Sequence, residues 1–340
     1  MIKIDTNKHY LIAEIGNNHQ GDINKAFELF RKAKSAGADA VKLQKRNNKS
    51  LYTKLYYNKK YENENSFGET YGSHRDFLEF NETEYKQLKE YASELKIDFF
   101  ATAFDFESID FLNKIDLPAI KIASGDLLNT PLQIEISKLN KTVILSTGGG
   151  TLDDIKRAAD NILKYNNDLI ILHCTASYPA EISDINLNII TLLKNEFPKN
   201  VIGLSDHENG IDAAPLAYLL GARVFEKHFT LNRALKGTDH AFSLEPYGLE
   251  KLVRNLSRVP VLLGSNKKEI LPSEKEPIYK MGKSIVAKKP IKKNEKITLD
   301  NTTFKSPADG LPPYKIYDII GKASNVDLDV DDLIHIKNLY

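Results

Sequence analysis

Residues 10–44, YLIAEIGNNHQGDINKAFELFRKAKSAGADAVKLQ, contain the unit on which the fold prediction rests. Tyr10–Ile15 is a short apolar run that predicts a strand, and Ala40–Gln44 predicts the next one. Between them, Ile23–Ala36 carries apolar residues at helical spacing, and Gly37 suits the position after a helix C-terminus. The stretch therefore predicts a strand, a helix and a second strand in succession.

The same alternation of strand and helix continues to residue 263. The further predicted strands are Phe99–Ala103, Ala119–Ile122, Thr142–Leu145, Leu169–Leu172, Val201–Leu204 and Val224–Glu226. Eight strand–helix pairs in this length favour an α/β fold of the (β/α)₈ TIM-barrel type, with an open doubly wound sheet as the competing layout. One stretch, Asn47–Phe80, breaks the rhythm, and a loop of that length is usually functional or disordered.

The C-terminal quarter of the chain changes in character. We predict a barrel domain over residues 1–264, a linker over 265–283 and a small β-rich domain over 284–340. Strand candidates in the small domain are Ile285–Ala287, Lys296–Thr298, Thr303–Lys305 and His335–Ile336.

Composition excludes several classes of function. The 340 residues carry 47 basic and 46 acidic side chains, a net charge of +1, which gives no general attraction to nucleic acid or to an anionic membrane. No run approaches the roughly 18 apolar residues of a membrane span, and the N-terminal residues have no apolar signal region. With a single cysteine, Cys174, a cytoplasmic protein is expected.

Polar side chains stand at or just after the ends of most predicted strands. In a barrel of parallel strands, these ends meet on one face and line the active site. His207 and His228 follow neighbouring strands, so we predict that their imidazoles share a divalent cation such as Mn²⁺, Zn²⁺ or Fe²⁺. Lys42 and Lys121 lie at strand ends, where two lysines around one cavity predict a bound anion. The hydroxyl groups expected to assist them are those of Thr102, Ser124, Ser146 and Ser205.

Three features allow both a structural and a functional interpretation. Thr151, ahead of two aspartates, favours a helix cap. His19 is either a base or a residue that fixes its loop. The tyrosine-rich stretch 52–61 would form a sugar platform or pack within its own loop.

Seven short segments carry a resemblance to a known family. In chain order they are Ala13–Asp22 (AEIGNNHQGD), Gly37–Gln44 (GADAVKLQ), Lys121–Asp126 (KIASGD), Leu145–Gly148 (LSTG), His173–Pro179 (HCTASYP), Gly203–His207 (GLSDH) and Glu226–Thr230 (EKHFT). Together they resemble the sialic acid (nonulosonic acid) synthase family. The resemblance implies a (β/α)₈ barrel followed by an antifreeze-like (SAF) domain of the β-clip type. It also implies a domain-swapped homodimer in which the small domain covers the partner's active site.

The resemblance also implies a reaction and a set of roles. Members of the family condense phosphoenolpyruvate with N-acetylmannosamine or a related amino sugar to give a nine-carbon 2-keto acid and phosphate. By motif, His207 and His228 would hold the divalent metal, usually Mn²⁺, with Mg²⁺ or Co²⁺ as alternatives. The residues that would bind phosphoenolpyruvate are Lys42, Thr102, Lys121, Ser124, Ser146 and Ser205. Those that would contact the sugar are Gln44, Tyr178 and Asp239.

The chain departs from the family pattern at two positions. Gln20 stands where many bacterial members carry a Glu near the metal, and because Gln cannot act as a base, acid–base work is expected to fall to another group such as Glu226 or Asp206. The predicted catalytic set contains Gln20, at the position of that Glu, together with Asp206, His207 and Glu226. Lys305 stands where many bacterial members carry a sugar-contacting Arg, and it is a weaker substitute because it lacks the bidentate fork.

The expected acceptor is N-acetylmannosamine, which would give N-acetylneuraminate. The segment Ser66–Arg75, however, resembles the animal branch, whose members prefer the 6-phosphorylated sugar. A second phosphate site would then come from Lys45, Arg46, His74 and Arg75, unless these are solvated loop charges. The diacetamido sugars that lead to legionaminic or pseudaminic acid stay open as acceptors.

Two rival functions remain on the residues alone. A Schiff-base aldolase would use Lys121 or Lys42 as its amine. A non-enzymatic protein would bind ice or glycans through residues 284–340, although the lysines between 288 and 296 disfavour the flat, weakly charged face that ice binding needs.

Overall fold

A computed structural model describes all 340 residues, which form two compact units, Met1–Leu263 and Gly264–Tyr340. In the first unit, eight parallel strands close into a barrel in which each strand pairs with its neighbours in chain order. The strands are β1 (Tyr10–Gly16), β2 (Ala40–Lys45), β3 (Asp98–Ala103), β4 (Ala119–Ile122), β5 (Thr142–Ser146), β6 (Leu169–Cys174), β7 (Val201–Asp206) and β8 (Val224–His228). The predicted TIM barrel is confirmed, and the open-sheet alternative is wrong.

Helices connect consecutive strands and cover the barrel. They are α1 (Ile23–Ser35), α2 (Asn48–Leu51), α3 (Lys54–Tyr57), α4 (Tyr71–Phe77), α5 (Glu82–Leu95), α6 (Phe106–Ile115), α7 (Thr130–Ser137), α8 (Leu152–Leu163), α9 (Asn188–Glu196), α10 (Ala213–Leu219) and α11 (Pro246–Leu263). At the start of α8, the side chains of Thr151 and Asp154 each accept from the other's backbone N–H, which confirms the predicted helix cap.

The stretch between β2 and α5 holds α2 to α4 and a group of packed tyrosines. The rings of Tyr52, Tyr56 and Tyr61 lie 5.1, 4.8 and 5.3 Å from that of Tyr71, measured between centroids. Asn65 ties this stretch to the loop after β8, because its Oδ1 accepts from the Gly237 N–H at 2.9 Å. Loop packing therefore accounts for most of the aromatic residues here.

The barrel interior is built in two layers because side chains alternate between its two faces. The lower layer is an apolar cluster that includes Ile12, Ala40, Phe100, Ala119, Ile144, Leu172 and Val224. Two residues further along each strand, the next inward position is usually polar. These upper positions are Glu14, Lys42, Thr102, Lys121, Ser146, Cys174, Ser205 and Glu226. The strands thus place a polar layer directly above an apolar plug.

The second unit has its own core around Ile285, Ile297, Ile316 and Leu328. It contains α12 (Lys275–Met281) within the stretch predicted as a linker, the antiparallel pair β9 (Ser284–Ala287) and β10 (Thr302–Lys305), and α13 (Ile316–Ile319).

Two predicted strands of the small domain are wrong. Lys296 makes only an isolated bridge to Ala323, and Ile336 begins a 3₁₀ turn rather than continuing a strand. The chain here is held by single bridges. A short apolar run in a sequence looks the same whether it forms a strand or only one such bridge. No helix in either unit combines the length and the apolar character needed to cross a membrane.

We predict that Gly203→Ala destabilises the barrel by about 1–3 kcal/mol, the usual cost of overpacking a core. A Cβ on Gly203 would lie 2.2 Å from the Val224 carbonyl oxygen and 2.5 Å from Leu172 Cδ2. Urea denaturation followed by circular dichroism measures the effect. Gly125→Ala is the matched control, because a Cβ at Gly125 has no atom within 4 Å. Equal stability of the two variants would contradict this account of β7.

Candidate active site

A cavity of about 590 Å³ opens at the C-terminal ends of the barrel strands. It gathers most of the residues that the sequence marked as functional. The predicted site residues that line it are Lys42, Gln44, Thr102, Lys121, Ser124, Ser146, Tyr178, Ser205, His207, Glu226, His228 and Asp239. They reach this position because they occupy inward-facing strand positions or the loops directly after them.

Four charged side chains form the floor of the cavity, and we refer to Glu14, Lys42, Lys121 and Glu226 as the floor cluster. Lys42 Nζ lies 2.8 Å from Glu14 Oε2 and 3.7 Å from Glu226 Oε2, while Lys121 Nζ pairs with Glu226 Oε1. All four side chains are at most 5 % exposed. Buried charges of this kind are tolerated only when they are paired.

The two carboxyl groups of the floor cluster differ in their proton affinity. Burial raises the pKa of Glu14 more than the facing Lys42 lowers it. Burial also acts to raise the pKa of Glu226, but the ammonium groups of Lys121 and Lys42 outweigh it and hold that pKa well below its usual range. Glu226 is therefore held as a carboxylate, while Glu14 takes up a proton more readily than an exposed glutamate does.

Four hydroxyl groups surround the floor cluster. Thr102 Oγ1 accepts from Lys42 Nζ at 2.9 Å, and Ser205 Oγ donates to Glu226 Oε1 at 2.9 Å. Ser124 Oγ accepts from the Gly148 N–H at 3.0 Å. Ser146 Oγ is buried without any hydrogen-bond partner, and a buried hydroxyl in that state is suited to a ligand oxygen.

Two imidazoles stand above the floor cluster, with ring centroids 5.3 Å apart. His207 Nδ1 lies 3.0 Å from the Thr175 carbonyl oxygen, which leaves Nε2 free. His228 Nδ1 is buried without a hydrogen-bond partner and lies 3.8 Å from Asp239 Oδ2. Burial lowers the pKa of His207 to about 3 and that of His228 to about 4, so both rings are neutral, the form that binds metal.

The residues present fit a divalent cation held in part by substrate or water. No set of three or more His, Cys, Asp or Glu side chains converges closely enough to hold a metal. Two neutral imidazoles, one with an orphaned nitrogen, leave several positions for oxygen ligands. Tyr178 closes this side of the cavity, its ring 4.3 Å from that of His207.

Asp206, predicted to be catalytic, lies on the opposite face of β7 from Ser205 and His207. Its Oδ2 pairs with Lys227 Nζ at 2.7 Å, and both side chains are buried outside the cavity. Because side chains alternate along a strand, a residue between two cavity residues must point away from the cavity. Its assignment to the catalytic set is therefore corrected to a structural ion pair.

Gln20, also predicted to be catalytic, does not line the cavity. It sits in the loop after β1 with a positive φ of 55°, and its Nε2 donates to the Lys236 carbonyl oxygen at 2.5 Å. Its Oε1 accepts from Lys25 Nζ in α1, so the amide joins the loop after β1 both to that helix and to the loop after β8. The neighbouring His19 has a loop-fixing contact, accepting from the Gly21 N–H at 3.1 Å and stacking on Phe80.

The remaining predicted residues divide between the cavity and other places. Arg46 and Arg75 line the cavity, whereas Lys45 pairs with Glu79 at 2.8 Å, and His74 Nδ1 accepts from the Phe67 N–H at 3.1 Å. Lys305 belongs to the C-terminal unit, where its ammonium pairs with Asp331.

Sequence reasoning assigned no site role to Glu14 and Cys174, which occupy inward-facing strand positions in the cavity. Both could have been found by counting two residues on from an apolar inward position, Ile12 for Glu14 and Leu172 for Cys174. The Cys174 thiol lies 3.5 Å from Ser124 Oγ and 3.8 Å from His207 Nδ1.

Comparisons with known proteins agree with this geometry. The sequence model of the NeuB family matches residues 29–268, and that of the SAF domain matches residues 282–339. The chain is 38 % identical over 326 residues to the N-acetylneuraminate-9-phosphate synthase of Mus musculus, covering 96 % of this chain and 91 % of that protein. It is 37 % identical over 331 residues to the N,N'-diacetyllegionaminic acid synthase of Campylobacter jejuni, covering 96 % and 99 %.

A solved structure supports the same relationship. The N-acetylneuraminic acid synthetase of Leptospira borgpetersenii, crystallised with citrate, superposes with a TM-score of 0.70 at 36 % identity, covering 82 % of this chain and 93 % of that one. A matched family model over most of the barrel, a matched C-terminal domain and relatives aligned along nearly the whole chain all lead to one conclusion. The chain belongs to the NeuB family of sialic and nonulosonic acid synthases, with a C-terminal SAF domain.

Proposed function

We propose that the protein condenses phosphoenolpyruvate with an N-acetylmannosamine-type sugar to give a sialic acid and phosphate, with cleavage of the C–O bond of phosphoenolpyruvate. The observation that carries the proposal is the floor cluster with its ring of hydroxyl groups. Two buried lysines and a free buried hydroxyl, Ser146, at one level of the barrel suit a small, multiply charged anion.

Phosphoenolpyruvate would lie on the floor cluster. Lys42 and Lys121 would contact its phosphate and carboxylate oxygens, and Thr102, Ser124 and Ser146 would donate from their hydroxyls. Ser205, whose hydroxyl donates to Glu226, would bind the ligand by turning its O–H from that carboxylate to a ligand oxygen. Because these groups are fixed by packing and by each other, little reorganisation is needed as charge moves during the reaction. The anion would be held with its C3 carbon directed up the cavity toward the sugar.

The sugar would occupy the next level. Gln44, Tyr178 and Asp239 line the cavity there and offer hydrogen bonds to its hydroxyl and acetamido groups. Gln44 is already oriented, since its Nε2 donates to Glu14 Oε1 at 2.7 Å. His207 and His228 would hold the divalent cation, for which Mn²⁺ is proposed, with Mg²⁺ or Co²⁺ as alternatives. When bound, such a cation polarises the aldehyde oxygen of an open-chain sugar.

The reaction balances as a single addition of water. The C3 carbon of phosphoenolpyruvate bonds to the aldehyde carbon, and C2 takes up a water oxygen before its bond to the phosphate oxygen breaks. One water proton ends on the former aldehyde oxygen and the other on phosphate. Glu226 and Glu14 are the carboxyl groups of the cavity floor near these protons, and Glu14, whose pKa is raised by burial, would be the better proton carrier, whereas Glu226 would act as a carboxylate.

We further propose a domain-swapped homodimer, in which the SAF domain covers the partner's cavity. The exposed aromatic side chains of this unit support it, with Tyr314 and Tyr317 each at least 75 % exposed. We expect light scattering to give a mass of twice 38.4 kDa at micromolar concentration. A mass of 38.4 kDa would contradict the dimer and leave Lys305 without a partner's sugar to contact.

We expect phosphate release from phosphoenolpyruvate to require both an N-acetylated mannosamine and Mn²⁺. In water labelled with oxygen-18, the released phosphate should carry no label, because the bridging oxygen leaves with phosphorus and the water oxygen stays on carbon. Mass spectrometry of the phosphate measures this. Labelled phosphate would indicate P–O cleavage, and borohydride trapping of a substrate on Lys121 would support the Schiff-base rival. Burial lowers the pKa of Lys121, as the rival requires, whereas the pairing with Glu226 favours the ammonium form, which is not a nucleophile.

We predict that His207→Ala and His228→Ala each reduce metal-dependent turnover by at least about 100-fold while the fold survives, because each removes one of two nitrogen ligands. The matched control is His9→Ala, a histidine that precedes β1 at the other end of the barrel. Titration of EDTA-treated protein with Mn²⁺ measures the effect, and circular dichroism checks the fold. Normal Mn²⁺ dependence in either variant would remove the metal assignment.

A further inference from the structure

Glu14 contacts residues at both levels of the cavity at which substrates are proposed to lie. It is 1 % exposed and lies on β1, in register with Lys42 of β2. Its Oε2 lies 2.8 Å from Lys42 Nζ, and its Oε1 accepts from Gln44 Nε2 at 2.7 Å. Lys42 and Gln44 occupy successive inward positions of one strand, about 6.6 Å apart. One carboxyl group therefore joins the level of phosphoenolpyruvate to the level of the sugar.

The neighbours of Gln44 fix its amide in one of two orientations. Arg46 Nη2 lies 2.6 Å from Gln44 Oε1, and because a guanidinium group only donates, the amide end that faces it must be the oxygen. The Gln44 nitrogen then faces Glu14, whose Oε1 accepts one of its hydrogens. A second donor, Asn17 Nδ2, lies 3.4 Å from the same Gln44 oxygen. These contacts leave one N–H of the Gln44 amide for a ligand.

The remaining N–H determines which kind of ligand atom Gln44 can meet. It bonds only to an acceptor, such as the carbonyl oxygen of an acetamido group or the oxygen of a hydroxyl group. If the amide were flipped, its oxygen would face the acceptor atom of Glu14, and its nitrogen would face the donors of Arg46. Glu14 therefore helps to decide which end of Gln44 a sugar encounters.

The contact between Glu14 and Gln44 also lies beside Asp239, another residue proposed to contact the sugar. Gly16, the last residue of β1, has a positive φ of 54°. A Cβ at Gly16 would lie 3.3 Å from both Gln44 Nε2 and Glu14 Oε1, and 3.4 Å from Asp239 Oδ2. The three polar atoms therefore surround one point at the end of β1, where a glycine leaves room for them.

We infer that Glu14 is a positioning residue, which orients the Gln44 amide toward the acceptor sugar while it holds Lys42 for phosphoenolpyruvate. The inference rests on the proposed condensation and adds a residue that acts through two of its binding groups. The competing role for Glu14 is structural, the neutralisation of the buried Lys42 ammonium. That role needs the contact of Oε2 alone and does not involve the bond between Oε1 and Gln44.

Glu14→Gln tests the inference, because it keeps the volume of the side chain but can present either a nitrogen or an oxygen to Gln44. We expect the KM for the acceptor sugar to rise at least about 10-fold, the effect of losing a hydrogen bond to a charged group. The KM for phosphoenolpyruvate should change less, since Lys42 keeps Thr102 and Glu226. Phosphate release measures both values, with N-acetylmannosamine or its 6-phosphate, whichever the wild type uses better. Equal changes in the two KM values would overturn the inference and favour the structural role.

A double-mutant cycle shows whether Glu14 acts through Gln44. Gln44→Ala leaves no amide to orient, so adding Glu14→Gln to that variant should change the acceptor KM by no more than about 2-fold. A rise of about 10-fold in both backgrounds would show that the two residues act independently, and it would overturn the inference.

Glu79→Gln is the matched control. Glu79 pairs with Lys45 at 2.8 Å, so this variant also removes a largely buried carboxylate from a lysine of β2, but neither of these residues lines the cavity. It should lower the urea midpoint of unfolding, followed by circular dichroism, and keep the wild-type KM for the sugar. A rise of that KM equal to the rise in Glu14→Gln would assign the effect to lost stability and overturn the inference.

Saturation-transfer NMR separates this inference from the proposed function, because it detects weak sugar binding without turnover. In EDTA-treated protein with phosphoenolpyruvate, the wild type should bind N-acetylmannosamine or its 6-phosphate at least about 10-fold more tightly than Glu14→Gln does. That result, together with no phosphate release with any sugar and metal, would support the positioning role and contradict the condensation. Equal binding by both proteins would overturn the positioning role even if the condensation proceeds, and so would a wild type that binds neither sugar.

Discussion

The interlocked pairing of Glu14, Lys42, Lys121 and Glu226 is the constraint on which the rest of the site depends. These side chains come from β1, β2, β4 and β8, so they meet only if the sheet closes into a barrel. Apolar residues of similar volume would stabilise the same position at least as well, because desolvation of buried ions offsets most of their attraction. A charged layer placed directly on an apolar plug is therefore better explained by ligand binding than by stability.

Alternation along the strands decides which polar residues share this layer. Ser205 and His207 enter the cavity while Asp206 between them pairs with Lys227 on the outer face. Like the floor cluster, the Asp206–Lys227 pair consists of buried charges that neutralise each other, but neither side chain lines the cavity. Polar character at a strand end is thus insufficient to mark a catalytic residue, and the parity of its position is needed as well.

The sequence predicted the barrel well because each strand and helix has a strong period and a buried face. It predicted the cavity nearly as well, since strand ends must converge in a closed barrel, yet it missed Glu14, which lies inside a strand segment that looked merely apolar. It failed for Gln20, whose side chain takes its direction from a left-handed backbone conformation in a loop. It failed again at Lys296 and Ile336, because an irregular domain held by isolated bridges leaves no period to detect.

The charges of the cavity are distributed unequally between its levels. At the floor of the cavity, two ammonium groups face two carboxyl groups. The transfer of a proton among these groups would change the electric field around a bound ligand. Elsewhere in the cavity, no carboxylate pairs with the guanidinium groups of Arg46 and Arg75, which are held by Phe104, Gln44 and Tyr71. On the proposed function, the matched charges of the floor cluster would hold phosphoenolpyruvate while the acceptor sugar is recognised above them.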